Sequence, residues 1–211
     1  DTVTVGAGAL AAATATNAGD TLAGGDGTDV LASTSAGLTA QSAAGTTGVS
    51  GFETLRVTNA LSTTVTVANV QATGIETVNL AAGGTGTIVG PAGSLNVTLG
   101  AALAGGALTL TDTGTATTDS VSVSNTATTA VNVGASQNIV VNGYETLNID
   151  GTAVGATTQV FGTVTMTADT GGTSTLNVTG ADPVTIGAFT GTTIDASGMS
   201  AQAAGTTTFN M

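Results

Sequence analysis

The densest group of candidate metal ligands is the nine-residue stretch GGDGTDVLA, residues 24–32. Its glycines can adopt positive φ and let backbone carbonyl oxygens converge on a cation. Its aspartates add carboxylates, while Leu31 faces the core by strand alternation. Because calcium takes 6–8 oxygen ligands, such a mixture of carbonyls and carboxylates predicts a calcium-binding turn. The residues predicted to form it are Gly24, Gly25, Asp26, Gly27 and Asp29.

A degenerate copy of this stretch, ATNAGDTLA, occupies residues 15–23. Asp20 lies nine residues before Asp29, and Leu22 lies nine residues before Leu31. Two stacked turns can sandwich one ion, so we predict calcium β-roll turns over residues 15–32, with Asp20 as a further ligand. The alternative is a Gly-Asp turn that joins two strands and leaves its acids solvated.

Four other aspartates are weaker candidates for a metal site. Asp112 and Asp119 bracket the segment TGTATT and can share an ion across that loop. Asp150 and Asp195 each lie at a predicted strand end. An aspartate at such a place commonly caps a turn through its own side chain, which is the alternative for both.

The charge balance narrows the choice of partner and cofactor. Thirteen acidic residues face one basic residue, Arg56, and the formal net charge is −12. This balance excludes nucleic-acid binding through a basic patch and attraction to an anionic lipid surface. The chain has no His and no Cys, so zinc, iron–sulfur and thiolate sites are excluded and hard, oxygen-ligated cations remain, with Ca²⁺ foremost.

Short runs of alternating apolar and polar residues recur roughly every 10–12 residues, as in strands joined by tight turns. With few aromatic residues and many Thr, Val and Gly, this pattern predicts an all-β fold, a parallel β-solenoid of stacked short strands. We predict one elongated repetitive domain over residues 1–211, with a soft joint at 81–93 and single helical turns at 37–45 and 198–205. No apolar run is long enough to predict a transmembrane helix.

The pattern Gly, large apolar residue, Glu, Thr occurs three times, in GFETLRV (51–57), GIETVNL (74–80) and GYETLNI (143–149). Glutamates in pairs can act as acid and base in a glycosidase. Three identical contexts instead indicate equivalent structural positions, where each glutamate meets turn N–H groups or supports a calcium site. We therefore expect that this protein is not an enzyme. The alternative is a β-helical polysaccharide lyase or hydrolase.

The sequences GGDGTDVL, GFETLRV, GIETVNL and TIDASGM together resemble the RTX-type bacterial surface-layer (S-layer) proteins exported by type I secretion. The resemblance implies an extracellular, calcium-dependent β-solenoid that tiles into a lattice on the bacterial cell surface. It implies self-association, with cell-surface polysaccharide as a further partner and no membrane insertion. It also implies that Asp26 and Asp29 bind calcium in a turn shaped by glycines, and that the chain is part of a longer polypeptide. The alternative is a stalk segment of a large RTX adhesin.

Overall fold

The computed structural model describes residues 1–6, 21–44, 48–70, 74–103, 105–126, 137–152, 159–200 and 209–210. In these residues a nine-stranded sheet contains, in spatial order, β1 (Thr2–Thr4), β3 (Val30–Ser33), β5 (Thr54–Val57), β7 (Thr77–Leu80), β9 (Ser94–Leu99), β11 (Ser120–Asn125), β13 (Thr146–Asp150), β15 (Thr175–Gly180) and β17 (Thr193–Met199). A seven-stranded sheet contains β6 (Thr64–Thr66), β8 (Gly86–Val89), β10 (Gly106–Thr111), β12 (Gln137–Gly143), β14 (Gln159–Ala168), β16 (Val184–Thr190) and β18 (Phe209–Asn210). A small sheet pairs β2 (Leu22–Ala23) with β4 (Val49–Ser50), and the helices are α1 (Ser35–Ala44) and α2 (Val67–Val70).

The chain alternates first between the nine-stranded and the small sheet and, from β5 onward, between the two large sheets. Each return adds one strand beside the previous strand of the same sheet. Every pairing between the named strands is parallel. A chain that winds in this way forms a solenoid, in which each coil packs mainly on its neighbours. The predicted all-β, parallel β-solenoid is confirmed.

Aliphatic side chains fill the space between the sheets because strand residues alternate between inside and outside. In β11 the two central valines are buried and the serines beside them are half-buried. Val121 pairs with Leu147, which pairs in turn with Leu176, so equivalent residues stack from coil to coil. The core is therefore a set of aliphatic ladders that runs along the solenoid.

The outer face of the nine-stranded sheet carries ladders of polar residues. Ser122, Asn148, Asn177 and Asp195 occupy one register position on four neighbouring strands. The Asn177 side-chain amide donates to the Asn148 Oδ1 at 3.0 Å, and the Asn148 amide donates to the Ser122 hydroxyl at 3.4 Å. Stacked Asn side chains of this kind favour in-register parallel pairing.

The structure corrects one local prediction and leaves a second one open. Residues 37–45 were expected to form a single helical turn, but α1 begins earlier, at Ser35, and has ten residues. The Thr34 hydroxyl accepts a hydrogen bond from the Gly37 N–H at 3.2 Å, which caps a helix start that the apolar pattern did not reveal. In the two nine-residue copies, Leu22 pairs with Val49 in the small sheet, whereas Leu31 lies in the nine-stranded sheet. Residues 15–20 are outside the described residues, so the calcium β-roll turns over 15–32 stay a prediction.

Other predictions lie partly outside the described residues. The second expected helical turn, 198–205, begins at the end of β17, and residues 201–208 are not described. The segment 81–93, expected to be a soft joint, contains β8, which pairs with both β6 and β10. The soft joint itself stays a prediction.

Candidate cation-binding edge

Most acidic residues of the described chain lie where it enters the nine-stranded sheet. Because all strands of that sheet are parallel, their starting points align along one edge of the solenoid. We call this set of residues the acidic edge. Those directly before a strand are Asp1, Asp29, Glu53, Glu76, Asp119 and Glu145, and those elsewhere in the same connections are Asp26, Asp112 and Asp169.

The three copies of the Gly-apolar-Glu-Thr motif occupy equivalent places on this edge. In each copy the large apolar residue is buried: Phe52, Ile75 and Tyr144. The following glutamate is the last residue before β5, β7 or β13. This arrangement confirms that the motif marks equivalent structural positions.

Two of these glutamates brace the coils beside them. The Glu53 Oε2 accepts a hydrogen bond from the Asp29 N–H at 2.8 Å. The Glu145 Oε2 accepts from the Asp119 N–H at 3.1 Å, and its Oε1 accepts from the Asp169 N–H at 2.9 Å. Glu76, in contrast, is exposed. The expectation that motif glutamates meet turn N–H groups therefore holds for Glu53 and Glu145.

The predicted calcium turn depends on glycine geometry. Gly25 and Gly27 have φ of 102° and 117°, which side chains other than glycine rarely adopt. A Cβ on Gly24 would collide with the carbonyl oxygen of Gly51 in the next coil. The sequence therefore needs glycine at these positions for the turn itself, whether or not an ion binds there.

The aspartates of that turn differ in their surroundings. Asp26 is exposed, whereas only 1% of Asp29 is exposed. The Asp29 Oδ1 lies 2.7 Å from the α-amino nitrogen of Asp1, which also donates to the Thr28 carbonyl oxygen at 3.2 Å. The Asp29 Oδ2 is buried and has no hydrogen-bond partner. Asp20 is outside the described residues, so its role as a further ligand stays a prediction.

Further along the edge, Asp112 and Asp119 come together. Both are largely buried, at 8% and 5% exposure, and each has a buried oxygen without a hydrogen-bond partner: Asp112 Oδ1 and Asp119 Oδ2. Burial raises the pKa of Asp112, and the negative charge of Asp119 adds to this rise; backbone N–H groups of Gly114 and Thr113 oppose it. The structure therefore places these two residues close together across their loop, and the ion that they were predicted to share stays a prediction.

The only tyrosine of the chain, Tyr144, lies beside this pair. It is fully buried, and its hydroxyl donates to the Pro91 carbonyl oxygen at 3.4 Å. Burial raises the pKa of Tyr144, and the charges of Asp112 and Asp119 raise it further. The phenol therefore senses the electrostatic field of both carboxylates.

Asp150 and Asp195 lie away from the acidic edge. The Asp150 Oδ1 accepts from the Thr152 N–H at 2.8 Å, and the Asp195 Oδ1 accepts from the Ser197 N–H at 2.9 Å. Hydrogen bonds from Ser197 lower the pKa of Asp195. For Asp150, the last residue of β13, this contact is the turn-capping role that was the alternative. Asp195 lies inside β17, where the pairing with β15 shifts register, and not at a strand end as predicted. Both contacts favour a local backbone role over metal binding.

Positively charged groups of the protein neutralise little of the negative charge on the acidic edge. Arg56 is exposed on β5, in a shallow groove of the outer sheet face lined with Thr54, Thr77 and Asn79. In the part of the chain that the structure describes, the pair between Asp29 and the Asp1 amine is the one ion pair. Within the same residues no three acidic side chains already surround a common metal position. A metal ion would therefore need backbone oxygens or water as well as carboxylates.

The sequence predicted that Glu145 meets turn N–H groups, but it did not identify those groups or the participation of Asp169. Asp169 follows β14 in a turn, ADTGG, that reads as an ordinary loop. Its N–H donates to Glu145, and its Oδ2 is a buried oxygen without a partner. These residues meet only because one coil returns beside another, which the local sequence does not encode.

Replacing Glu145 by glutamine is expected to lower the free energy of unfolding by about 1–3 kcal/mol. The neutral amide can accept from only one of the two N–H groups and turns a donor toward the other. Urea unfolding measures the change. The matched control is Glu76→Gln, in the same motif but at an exposed position, which is expected to change stability little. Equal losses for the two variants would contradict the bracing role.

Comparisons of the chain with protein-family models, with curated proteins and with solved structures found no match. None of the described helices has both the length and the apolar character to span a membrane.

Proposed function

We propose that this protein is a structural subunit of an extracellular surface layer or filament that self-assembles in the presence of calcium on the bacterial cell surface. The observation that carries the proposal is the acidic edge: carboxylates aligned along one side of a parallel solenoid, with little opposing positive charge. The proposal includes the RTX character, secretion and calcium dependence that the sequence resemblance implies.

Charge explains why assembly depends on a cation. A formal charge of −12 makes copies of the chain repel one another, and a row of carboxylates concentrates that repulsion on one side. Calcium bound along the edge lowers this repulsion and stiffens the connections that hold the carboxylates. The parallel stack supplies a rigid body that repeats its surface at each coil.

The proposal includes no catalytic role. Glu53 and Glu145, which could be imagined as an acid and a base, both accept hydrogen bonds from backbone N–H groups on neighbouring coils. Carboxylates that hold neighbouring coils together in this way support the structural role that we propose.

Assembly should be tested with purified protein by sedimentation velocity and electron microscopy, in chelator and in millimolar calcium. We expect a slowly sedimenting species in chelator and ordered sheets or filaments in calcium. Magnesium should substitute poorly, because it resists irregular, carbonyl-rich shells. Potassium chloride at matched ionic strength controls for simple screening of charge.

Two outcomes would contradict the lattice proposal. Equally extensive assembly in chelator would show that assembly does not depend on calcium. Elongated monomers that remain single in calcium would favour the alternative function, a stalk segment of a large adhesin.

A further inference from the structure

We propose that the carboxylates of Asp112 and Asp119 form a site for a divalent cation of calcium's size, separate from the glycine-rich turn at 24–32. The inference deepens the proposed function and rests on it for the choice of calcium. The site lies in the connection between β10 and β11, close to Tyr144.

The first support is the lack of partners for buried charge. Asp112 Oδ1 and Asp119 Oδ2 are buried oxygens without hydrogen bonds. An unpaired buried carboxylate is costly, and proteins pair such groups with opposite charges or with metals. No Lys, Arg or His of the described residues forms an ion pair with either of them.

The second support is the space that the two carboxylates share. A Cβ built on Gly114 would lie 2.8 Å from Asp112 Oδ2 and 3.2 Å from Asp119 Oδ2. The Oδ2 atoms of both side chains therefore border the same small volume, which glycine leaves open and which the Ala92 methyl group also borders. The Gly114 N–H donates to Asp112 Oδ2 at 2.6 Å and fixes that carboxylate in the turn.

The third support is that the surroundings of Asp119 resemble those of Asp29. At both places an aspartate directly before a strand is buried, has an unpartnered Oδ2, and donates its N–H to a glutamate on the next coil. Beside Asp119 lies a second carboxylate, Asp112, so a mobile cation is the counter-charge that this pair lacks.

Solvent access to the Asp112–Asp119 site and the further oxygen ligands near it are compatible with a bound ion. Residues 115–118 of the same loop are exposed, so an ion can enter from solvent and keep water ligands. Glu145 is a positioning residue, because it holds the backbone of Asp119 and Asp169 and leaves their carboxylates free. Two carboxylates with backbone oxygens and water satisfy the oxygen preference of calcium.

Tyr144 allows the site to be tested directly, because the chain has one tyrosine and no tryptophan. Terbium binds calcium sites and becomes luminescent when a nearby excited tyrosine transfers energy to it. Asp29 lies four strands away from Asp119 in the nine-stranded sheet, about 19 Å at about 4.8 Å per strand. Terbium at Asp29 should consequently contribute far less to a signal excited through tyrosine.

Terbium should be titrated into chelator-treated protein under tyrosine excitation, and calcium added afterwards. We expect saturable luminescence that calcium displaces. Asp119→Asn should weaken the apparent affinity at least tenfold, and Gly114→Ala should do the same without changing charge, because its methyl group fills the shared space. Tyr144→Phe should abolish the luminescence but leave calcium binding, measured by calorimetry, in place.

The control variant is Asp195→Asn, which removes one charge from an exposed residue away from the edge and should match the parent. Circular dichroism checks that each variant is folded. The inference is overturned if folded parent protein gives no saturable luminescence. That result is expected if the two carboxyl groups share a proton and bind no metal ion. The inference is equally overturned if Asp195→Asn weakens binding as much as Asp119→Asn. Luminescence is measured on unassembled protein, so a failure of lattice assembly leaves this result unchanged.

Discussion

Withdrawing calcium is expected to lower the free energy of unfolding by about 2.7 kcal/mol for each site that was held at 100 times its Kd. The loss arises because only the folded chain brings the edge carboxylates together, as it does for Asp112 and Asp119. Without the ion, these buried groups lose their counter-charge and repel each other. Urea unfolding in chelator and in millimolar calcium, followed by circular dichroism, measures the difference.

Potassium chloride at the ionic strength of the calcium buffer separates binding from screening. It should recover little of the lost stability, because buried pairs are screened much less than exposed ones. If potassium and calcium stabilise the protein equally, general screening and not a bound ion explains the effect.

Replacing Phe161 by alanine is expected to lower the free energy of unfolding by about 3–5 kcal/mol. Phe161 is 1% exposed and stacks beside Ile186 on the neighbouring strand, so its removal leaves a cavity between the sheets. The matched control is Phe189→Ala on β16, where the ring is only partly buried and a clearly smaller loss is expected. Urea unfolding in calcium measures both. Similar losses for the two variants would contradict the placement of Phe161 in the core.

Alternation in the sequence predicted many strands closely. The runs TLRV and TVNL correspond to β5 and β7 residue for residue, because alternate residues must face a narrow apolar core. The segment GTIV (86–89), with little alternation, did not predict β8, whose place depends on pairing with β6 and β10. Helix α1 was underestimated because its start relies on a Thr34 cap and not on an apolar stripe.

The acidic edge was only partly predictable, for a physical reason. Asp112 and Asp119 are close in sequence, so their meeting across one loop was visible. The partner of Asp29 is Glu53, 24 residues later, whereas the partner of Asp119 is Glu145, 26 residues later. Because the coil length varies with each loop, the sequence does not reveal which acids become neighbours.

The most direct test of a cation-binding edge is calorimetric titration of calcium into chelator-treated protein. Two double variants with equal charge should be compared: Asp29→Asn/Asp119→Asn, which alters the edge, and Asp150→Asn/Asp195→Asn, which alters turns away from it. The parent and the second variant are predicted to give the same saturable heat, and the edge variant is predicted to lose most of it. No saturable heat in the parent, or full binding by the edge variant, would contradict the account.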